Sequence, residues 1–490
     1  MKRKLIFLPF FPLLLPLFFV LHGVAENTAY INVRDCYGLI GVYMEVTVVL
    51  YLLLYLVYRD HSRTALAVGT LQGTFFFFGA LHSFLSRYVP FLGKYSILLP
   101  LVAILLAVIL LRLKKSSFKP GRPVFFINIL FSIYILFDLV RLGLAGDPHR
   151  HRLSLISPYT LPAATPDSTY PDVYLLLMDE YASTSSLKRW FNYDNSNLDS
   201  FLTNEGFRVL PASRSNYNFT SFSMASMLNM SYIIKGLDRE CTIEDYASCN
   251  KLIRDSETGL FFSMHGYDIV NYSIFDLGDQ PSPVNEHLLP VKSNLITSQT
   301  LLGRIRHDIG WNIYSLPFGW LKRQAYEVLD NNNSIITDVE KTSNTKAARP
   351  RFIYAHLEMP HNPFFYDKQS RLKEPKEMEQ SIEGYLDYLP YTNQVIKKLV
   401  TTIQQNTKRS AVIIVMGDHG VRFDAPGGGD PDSLHYFQNL NAIYFPDRDY
   451  HLLYDSVSGV NQFRLVFSSI FRHNIPLLRD STVLLKDKSN

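Results

Sequence analysis

Four places in this 490-residue chain set chemically capable side chains beside short apolar runs. Asp179-Glu180 follows the run 173–178. Gly417-Asp418-His419-Gly420 follows the run 411–416. His356 lies within the run 352–357, and Pro360-His361-Asn362-Pro363 stands just beyond it. The segment 216–230 is rich in Ser, Thr and Asn, and Thr220 sits where it becomes helix-compatible. An Asp-His pair offers a hard oxygen and a borderline nitrogen, a mix that suits Zn or Mn. Flanking glycines let the backbone turn sharply. An ordinary turn is the other reading of Gly-Asp-His-Gly. A lone Asp at a strand end often caps the next helix, but Asp179 and Asp418 from separate strands can converge on one ion. A threonine at a helix N-terminus stands among free amides that favour an anion. Beside a metal its hydroxyl becomes a nucleophile, and without one it is a plain cap. Asn218-Phe219-Thr220 also fits a glycosylation acceptor, a match common by chance.

The elements that must hold these residues read as an α/β domain. The runs 173–178, 268–274, 352–357, 411–416 and 442–445 have strand composition. Helical patterns at about 195–205, 379–405 and 460–472 separate several of them. Apolar strands alternating with helices predict a largely parallel sheet covered on both faces, with its site at the carboxyl ends of the strands. This domain is expected over 170–490. Residues 147–169, with Pro148, Pro158, Pro162 and Pro166, read as a linker.

Residues 1–146 read as a transmembrane domain. Residues 1–150 carry 15 Lys and Arg against 6 Asp and Glu, a net of +9, while the remainder is mildly acidic. A body without basic excess argues against nucleic-acid binding. Three cysteines exclude a disulfide-stapled miniprotein, and 47 % apolar content excludes disorder. A spanning helix needs about 20 apolar residues. Five segments qualify: 5–22, 38–58, 64–86, 95–113 and 123–143. Alternate connecting segments hold 10 basic residues on one side and 3 on the other. The positive-inside rule then places the N-terminus in the cytoplasm and the body outside. The protein is thus expected in the cell membrane, multi-pass, with an extracytoplasmic catalytic domain. The first segment also fits a signal peptide ending near Val24-Ala25, which leaves the later topology unchanged. Within the segments, Asp138 is expected to pair locally with Arg141. Glu45 is expected to face the helix bundle or a lipid head group. Cys241 and Cys249 could bridge or stay as thiols.

Taken in order, strand–Asp179, Thr220, the Pro-His-x-Pro segment and strand–Gly-Asp-His-Gly resemble the alkaline phosphatase superfamily. The likeness is closer to its sulfatase-like branch of lipoteichoic acid synthases and lipid A phosphoethanolamine transferases. The resemblance implies an N-terminal five-helix transmembrane bundle followed by a sulfatase-like α/β/α sandwich with a central mixed, mostly parallel sheet. It implies metal ligation by Asp179, Thr220, Asp418 and His419, with Thr220 and His361 catalytic. His356, Asn216 and His435 are weaker candidates for substrate binding, as is Glu180. No cysteine starts the Cys-x-Pro-x-Arg motif of formylglycine sulfatases. No Asp-x-x-x-His set lies between 352 and the Asp-His pair. One divalent ion is therefore expected: Mn, Zn, Mg or Ca.

The implied reaction moves a phospholipid head group, phosphoethanolamine or phosphoglycerol, through a phosphothreonine to an envelope lipid or glycan. Hydrolysis of a phosphate or sulfate ester on the same fold is the alternative. A catalytically inactive scaffold is the third reading, and it predicts damaged site residues. Arg214, Arg422 and Lys368 stand near the motifs in sequence. They are either anion-binding groups or ordinary surface charge.

Overall fold

The computed structural model describes residues 9–28, 31, 33–115, 120–144, 153–156, 158–159, 167, 169–235, 240–284, 293–314, 323–424 and 433–487. It divides into two compact units. The first takes Met1–Arg152 together with His287–Gly310, and the second takes Leu153–Glu286 and Trp311–Ser489. Most of the proline-rich linker lies outside the described residues.

The first unit is helical: α1 (Phe11–Glu26), α2 (Tyr37–Tyr58), α3 (His61–Phe76), α4 (Phe78–Tyr88), α5 (Tyr95–Lys115) and α6 (Gly121–Leu144). By length and composition three helices can cross a membrane. The pair α3 and α4, bent by 55°, makes a fourth if it is one span. Leu52, Leu56, Ile104, Leu105 and Leu136 are all exposed. Apolar side chains turned outward on helices of this length are what lipid stabilises and water does not. The helix α1 has 16 residues, and the first eight residues of the chain are not among those described. Polar contacts tie the helices: Gln72 Nε2 donates to Thr47 Oγ1 at 2.7 Å, and Phe11 N donates to Asn128 Oδ1 at 2.8 Å. Asp138 does not pair with Arg141. Its carboxylate is buried and meets His22 Nδ1 at 3.2 Å, while Arg141 reaches Glu26 at 2.7 Å. The neighbouring helix offers partners that a reading along one helix misses. Glu45 is exposed on α2. Residues 293–310 return to this unit: Gly79 N donates to Gln299 O at 2.9 Å, and Tyr95 bonds Asp308.

The second unit is built on six strands: β1 (Asp172–Met178), β2 (Arg208–Val209), β3 (Asp268–Tyr272), β4 (Arg351–Leu357), β5 (Ala411–Gly417) and β6 (Asn441–Tyr444). Their order is β2-β6-β5-β1-β4-β3. The four strands β5, β1, β4 and β3 run parallel, and β6 and β2 add antiparallel pairings at one edge. Every residue of β1, β4 and β5 is buried, as central strands covered on both faces must be. One face carries Leu176, Ile353 and Ile413. It packs in the same core as the apolar stripe Leu389, Ile396 and Ile403 of the helix Ile382–Asn406. On the other face, Phe352 stacks on Phe262 at 4.3 Å, and Phe261 stacks on Phe467 at 3.9 Å. The expected mixed, mostly parallel sheet between helical layers is the one found.

Candidate metal and nucleophile site

The register places Met178 opposite Gly417 and Leu177 opposite His356. The ends of β1 and β5 therefore lie side by side, and the next residues, Asp179 and Asp418, converge. Ligand-capable atoms of Asp179, Asp418 and His419 all lie within 4.8 Å of one another, and all three residues are buried. His419 Nδ1 donates to Gly420 O at 2.7 Å. That fixes the proton there and leaves the Nε2 lone pair facing the cluster. Nε2 lies 3.2 Å from Asp418 Oδ2 without hydrogen-bond alignment, and 3.3 Å from Thr220 Oγ1.

Asp179 Oδ1 and Asp418 Oδ2 are buried with no hydrogen-bond partner. Orphaned carboxylate oxygens are costly, and a divalent cation supplies the missing partner. Two carboxylates, an imidazole nitrogen and a hydroxyl suit Zn or Mn. The residues present therefore fit the metal. Burial pushes Asp418 upward, and the Asp179 charge adds to this. Burial also opposes the Asp179 charge, but His361, His356 and His419 outweigh it and hold that carboxyl well below the usual range.

Supporting residues fix each of these groups. His356 Nε2 lies 3.3 Å from Asp179 Oδ2, and its Nδ1 accepts from Tyr354 OH at 3.1 Å. This places His356 behind the carboxylate on the buried face of β4. Glu180 takes a left-handed backbone, φ 63°, which few non-glycine residues adopt outside functional or tightly determined sites. Its N–H donates to Asp418 Oδ1 at 2.9 Å, and its carbonyl accepts from Tyr385 OH at 2.9 Å. Thr220 opens the helix α7 (Thr220–Leu228), whose other eight residues are all buried. A helix buried on every side is a core helix, so the hydroxyl stands on a rigid support. Ser223, one turn on, donates to Asp418 O at 2.5 Å. Gly420 must lack a side chain, because a Cβ there would stand 2.0 Å from His435 O.

His361 is partly exposed. Its Nδ1 donates to Asn362 O at 2.6 Å, and its Nε2 lies 3.2 Å from Arg422 Nη2 and 3.7 Å from Glu180 Oε2. The structure thus brings Asp179, Thr220, Asp418 and His419 together, with His356 behind them and His361 joined to them through Glu180.

Two further sequence candidates have structural partners. Asn216 is spent on structure: it donates to Tyr232 OH and Ser481 O and accepts from Val460 N at 2.6 Å. His435 Nε2 meets Phe423 O at 2.8 Å, and aromatic rings of Trp190, Phe191 and Tyr436 surround it. Cys241 and Cys249 are buried thiols, not bridged. The sequence reading missed Tyr354 and Ser223. Spacings of two along a strand and three along a helix place them beside His356 and Thr220, a usable signal.

Residues 297–455 match the Sulfatase family model. That span includes His361, Asp418 and His419 but not Asp179 or Thr220, which the fold brings to them. No curated protein matches the chain in sequence. Similar solved structures include a sulfatase of a Bacteroides thetaiotaomicron locus for glycosaminoglycan metabolism (16 % identity, 61 % of this chain and 72 % of that one, TM-score 0.40). Another is the periplasmic domain of EptC from Escherichia coli in complex with Zn (11 %, 64 % and 86 %, 0.39). A third is the integral membrane lipooligosaccharide phosphoethanolamine transferase A of Neisseria meningitidis (13 %, 95 % and 94 %, 0.36).

Proposed function

For a membrane protein whose body is a sulfatase-like domain, we propose a metal-dependent phosphotransferase that carries a phospholipid head group on Thr220 to an envelope acceptor. The observation that carries this reading is the Thr220 hydroxyl, 3.3 Å from His419 Nε2, beside two partnerless buried carboxylate oxygens. Membrane-length apolar helices in the same chain favour a lipid donor of phosphoethanolamine or phosphoglycerol. The excess of basic residues on one set of connecting segments favours a catalytic domain outside the cell.

Asp179, Asp418, His419 and Thr220 would hold the divalent ion, which lowers the proton affinity of the hydroxyl and offsets charge at phosphorus. Thr220 Oγ1 attacks phosphorus. The Oγ–P bond forms and the P–O bond to diacylglycerol breaks. Thr220 gives up one proton to solvent and the departing alkoxide takes up one from solvent, with His361 beside the leaving oxygen. The amides of the first turn of α7 have no helical acceptor and stabilise the phosphoryl oxygens. An acceptor hydroxyl then forms its own bond to phosphorus, and Thr220 is released and reprotonated.

The test is intact-mass spectrometry on the detergent-purified full chain with Mn or Zn and phosphatidylethanolamine or phosphatidylglycerol. Wild type should gain a head-group phosphate that Thr220→Ala does not gain. An equal adduct on Thr220→Ala, or none on either, overturns the phosphothreonine. Equal head-group release with and without acceptor would make the protein a hydrolase.

A further inference from the structure

Arg422 follows His419 by three residues, and one guanidinium joins three parts of the site. Its backbone N–H donates to Glu180 Oε1 at 2.8 Å, and its Nε lies 3.6 Å from the same oxygen. Its Nη2 lies 3.2 Å from His361 Nε2. Its Cζ stands 5.5 Å from the ring centre of Phe219, the residue before Thr220. The end of β1, the segment carrying His361 and the approach to α7 all meet there. The Glu180 side chain is only 6 % exposed, whereas that of Arg422 keeps 31 %. Arginine has five N–H donors. His361 takes a hydrogen bond from one, and Glu180 pairs with the charge at Nε without a hydrogen bond.

A structural ion pair would be complete with Glu180 alone. The extension past Glu180 to His361, with a ring against the guanidinium, makes a fork that is fixed before any ligand arrives. The charges point the same way. An anionic ester entering beside Asp179, Glu180 and Asp418 meets three carboxylates, and a fixed cation is needed to admit it. Burial opposes the Arg422 charge, but these same three carboxylates more than offset that and hold the proton on.

We propose that Arg422 binds a non-bridging oxygen of the phosphoryl group as it passes through Thr220, and that Glu180 is the positioning residue that fixes the guanidinium. The proposal rests on the phosphotransfer reading for where that group sits, and it names the ligand chemistry as a phosphate oxyanion. The planar guanidinium also means that lysine can replace this arginine only in part.

The test uses the Mn-loaded full chain in detergent with inorganic phosphate as the probe, and measures phosphate and Mn affinities separately by calorimetry. Arg422→Gln should weaken phosphate binding by about 10- to 100-fold, the scale of a lost charge-assisted hydrogen bond, with Mn affinity unchanged. Arg422→Lys should recover only part of that loss. Glu180→Gln should also weaken phosphate without moving Mn. In the double variant it should add nothing to Arg422→Gln, because it acts through Arg422. Unchanged phosphate affinity in Arg422→Gln, or no phosphate binding by wild type, overturns the proposal. Additive losses in the double variant overturn the positioning role of Glu180. Phosphate binding through Arg422 with no Thr220 adduct would refute phosphotransfer and leave this assignment standing. An adduct formed at equal rate in Arg422→Gln, with equal phosphate affinity, would do the reverse.

Discussion

Replacing His356 with phenylalanine isolates what a buried hydrogen bond does for the metal site. Phenylalanine keeps a ring of similar shape where His356 packs 5.8 Å from the ring of Phe275. It removes the Nε2–H that faces Asp179 Oδ2 at 3.3 Å. Asp179 Oδ1 already lacks a partner, so the carboxylate is left without a side-chain hydrogen bond. A hydrogen bond to a charged group contributes about 1.5–3 kcal/mol. At about 1.4 kcal/mol per decade this becomes a 10- to 100-fold loss of metal affinity, in line with other residues that orient metal ligands. Tyr354 OH also loses its acceptor, which should cost about 1–3 kcal/mol of stability. The double variant Tyr354→Phe/His356→Phe removes that orphan, so it should regain stability without regaining affinity. Competition against a chromogenic chelator measures the first quantity, and thermal melts of the metal-free protein measure the second. A metal Kd within about threefold of wild type in His356→Phe would refute the reasoning. Either Asp179 is then not a ligand or His356 does not hold it.

Other outcomes follow from the same geometry. Gly420→Ala should lower stability by about 1–3 kcal/mol and abolish metal binding, because its Cβ meets His435 O and the loop holding His419 must shift; a melt and a metal titration check both. In the metal-free protein, burial and then the Asp179 charge raise Asp418 above its ordinary value of 3.8. The native state then keeps a proton that the unfolded chain has lost, and this stability is full below 3.8 and lost as pH rises through the raised value. The Tm should fall over that window, and Asp418→Asn should flatten the fall. Cys241 and Cys249 are buried, and burial pushes the Cys249 thiol well up. Iodoacetamide at neutral pH should label neither until the chain is unfolded, as peptide mapping would show.

The three central strands were legible because each carries a near-continuous apolar run, the pattern a doubly covered parallel strand imposes. Their register then brings Asp179 and Asp418 together, so reading the strands amounted to reading half the candidate site. The strand Arg208–Val209 was not legible, since two residues pairing with β6 at a sheet edge carry no periodic signal. The Asp138–His22 pair was missed because the residues stand 116 positions apart on different helices. His435 is held by a carbonyl and aromatic rings, and its letter alone does not tell such a histidine from a ligand. The return of residues 293–310 to the helical unit depends on contacts with Gly79 and Tyr95, and no local pattern announces such a partner.

The loop before Thr220 is closed by the far end of the chain. Asn218 donates to Leu485 O at 3.1 Å and accepts from Leu485 N at 2.8 Å across 267 positions, and Val483 N donates to Asn216 O at 2.9 Å. During synthesis Thr220 therefore emerges long before the strap that steadies its loop. At about 5–20 residues per second, roughly 13–53 seconds pass between the two. Over that interval the candidate site is present in pieces, and a ribosome-bound chain lacking residues 481–485 holds Thr220 on a loop that nothing yet closes. Metal binding at the candidate site should accordingly appear only in nascent chains long enough to have delivered residues 481–485, whatever the state of the helices made earlier.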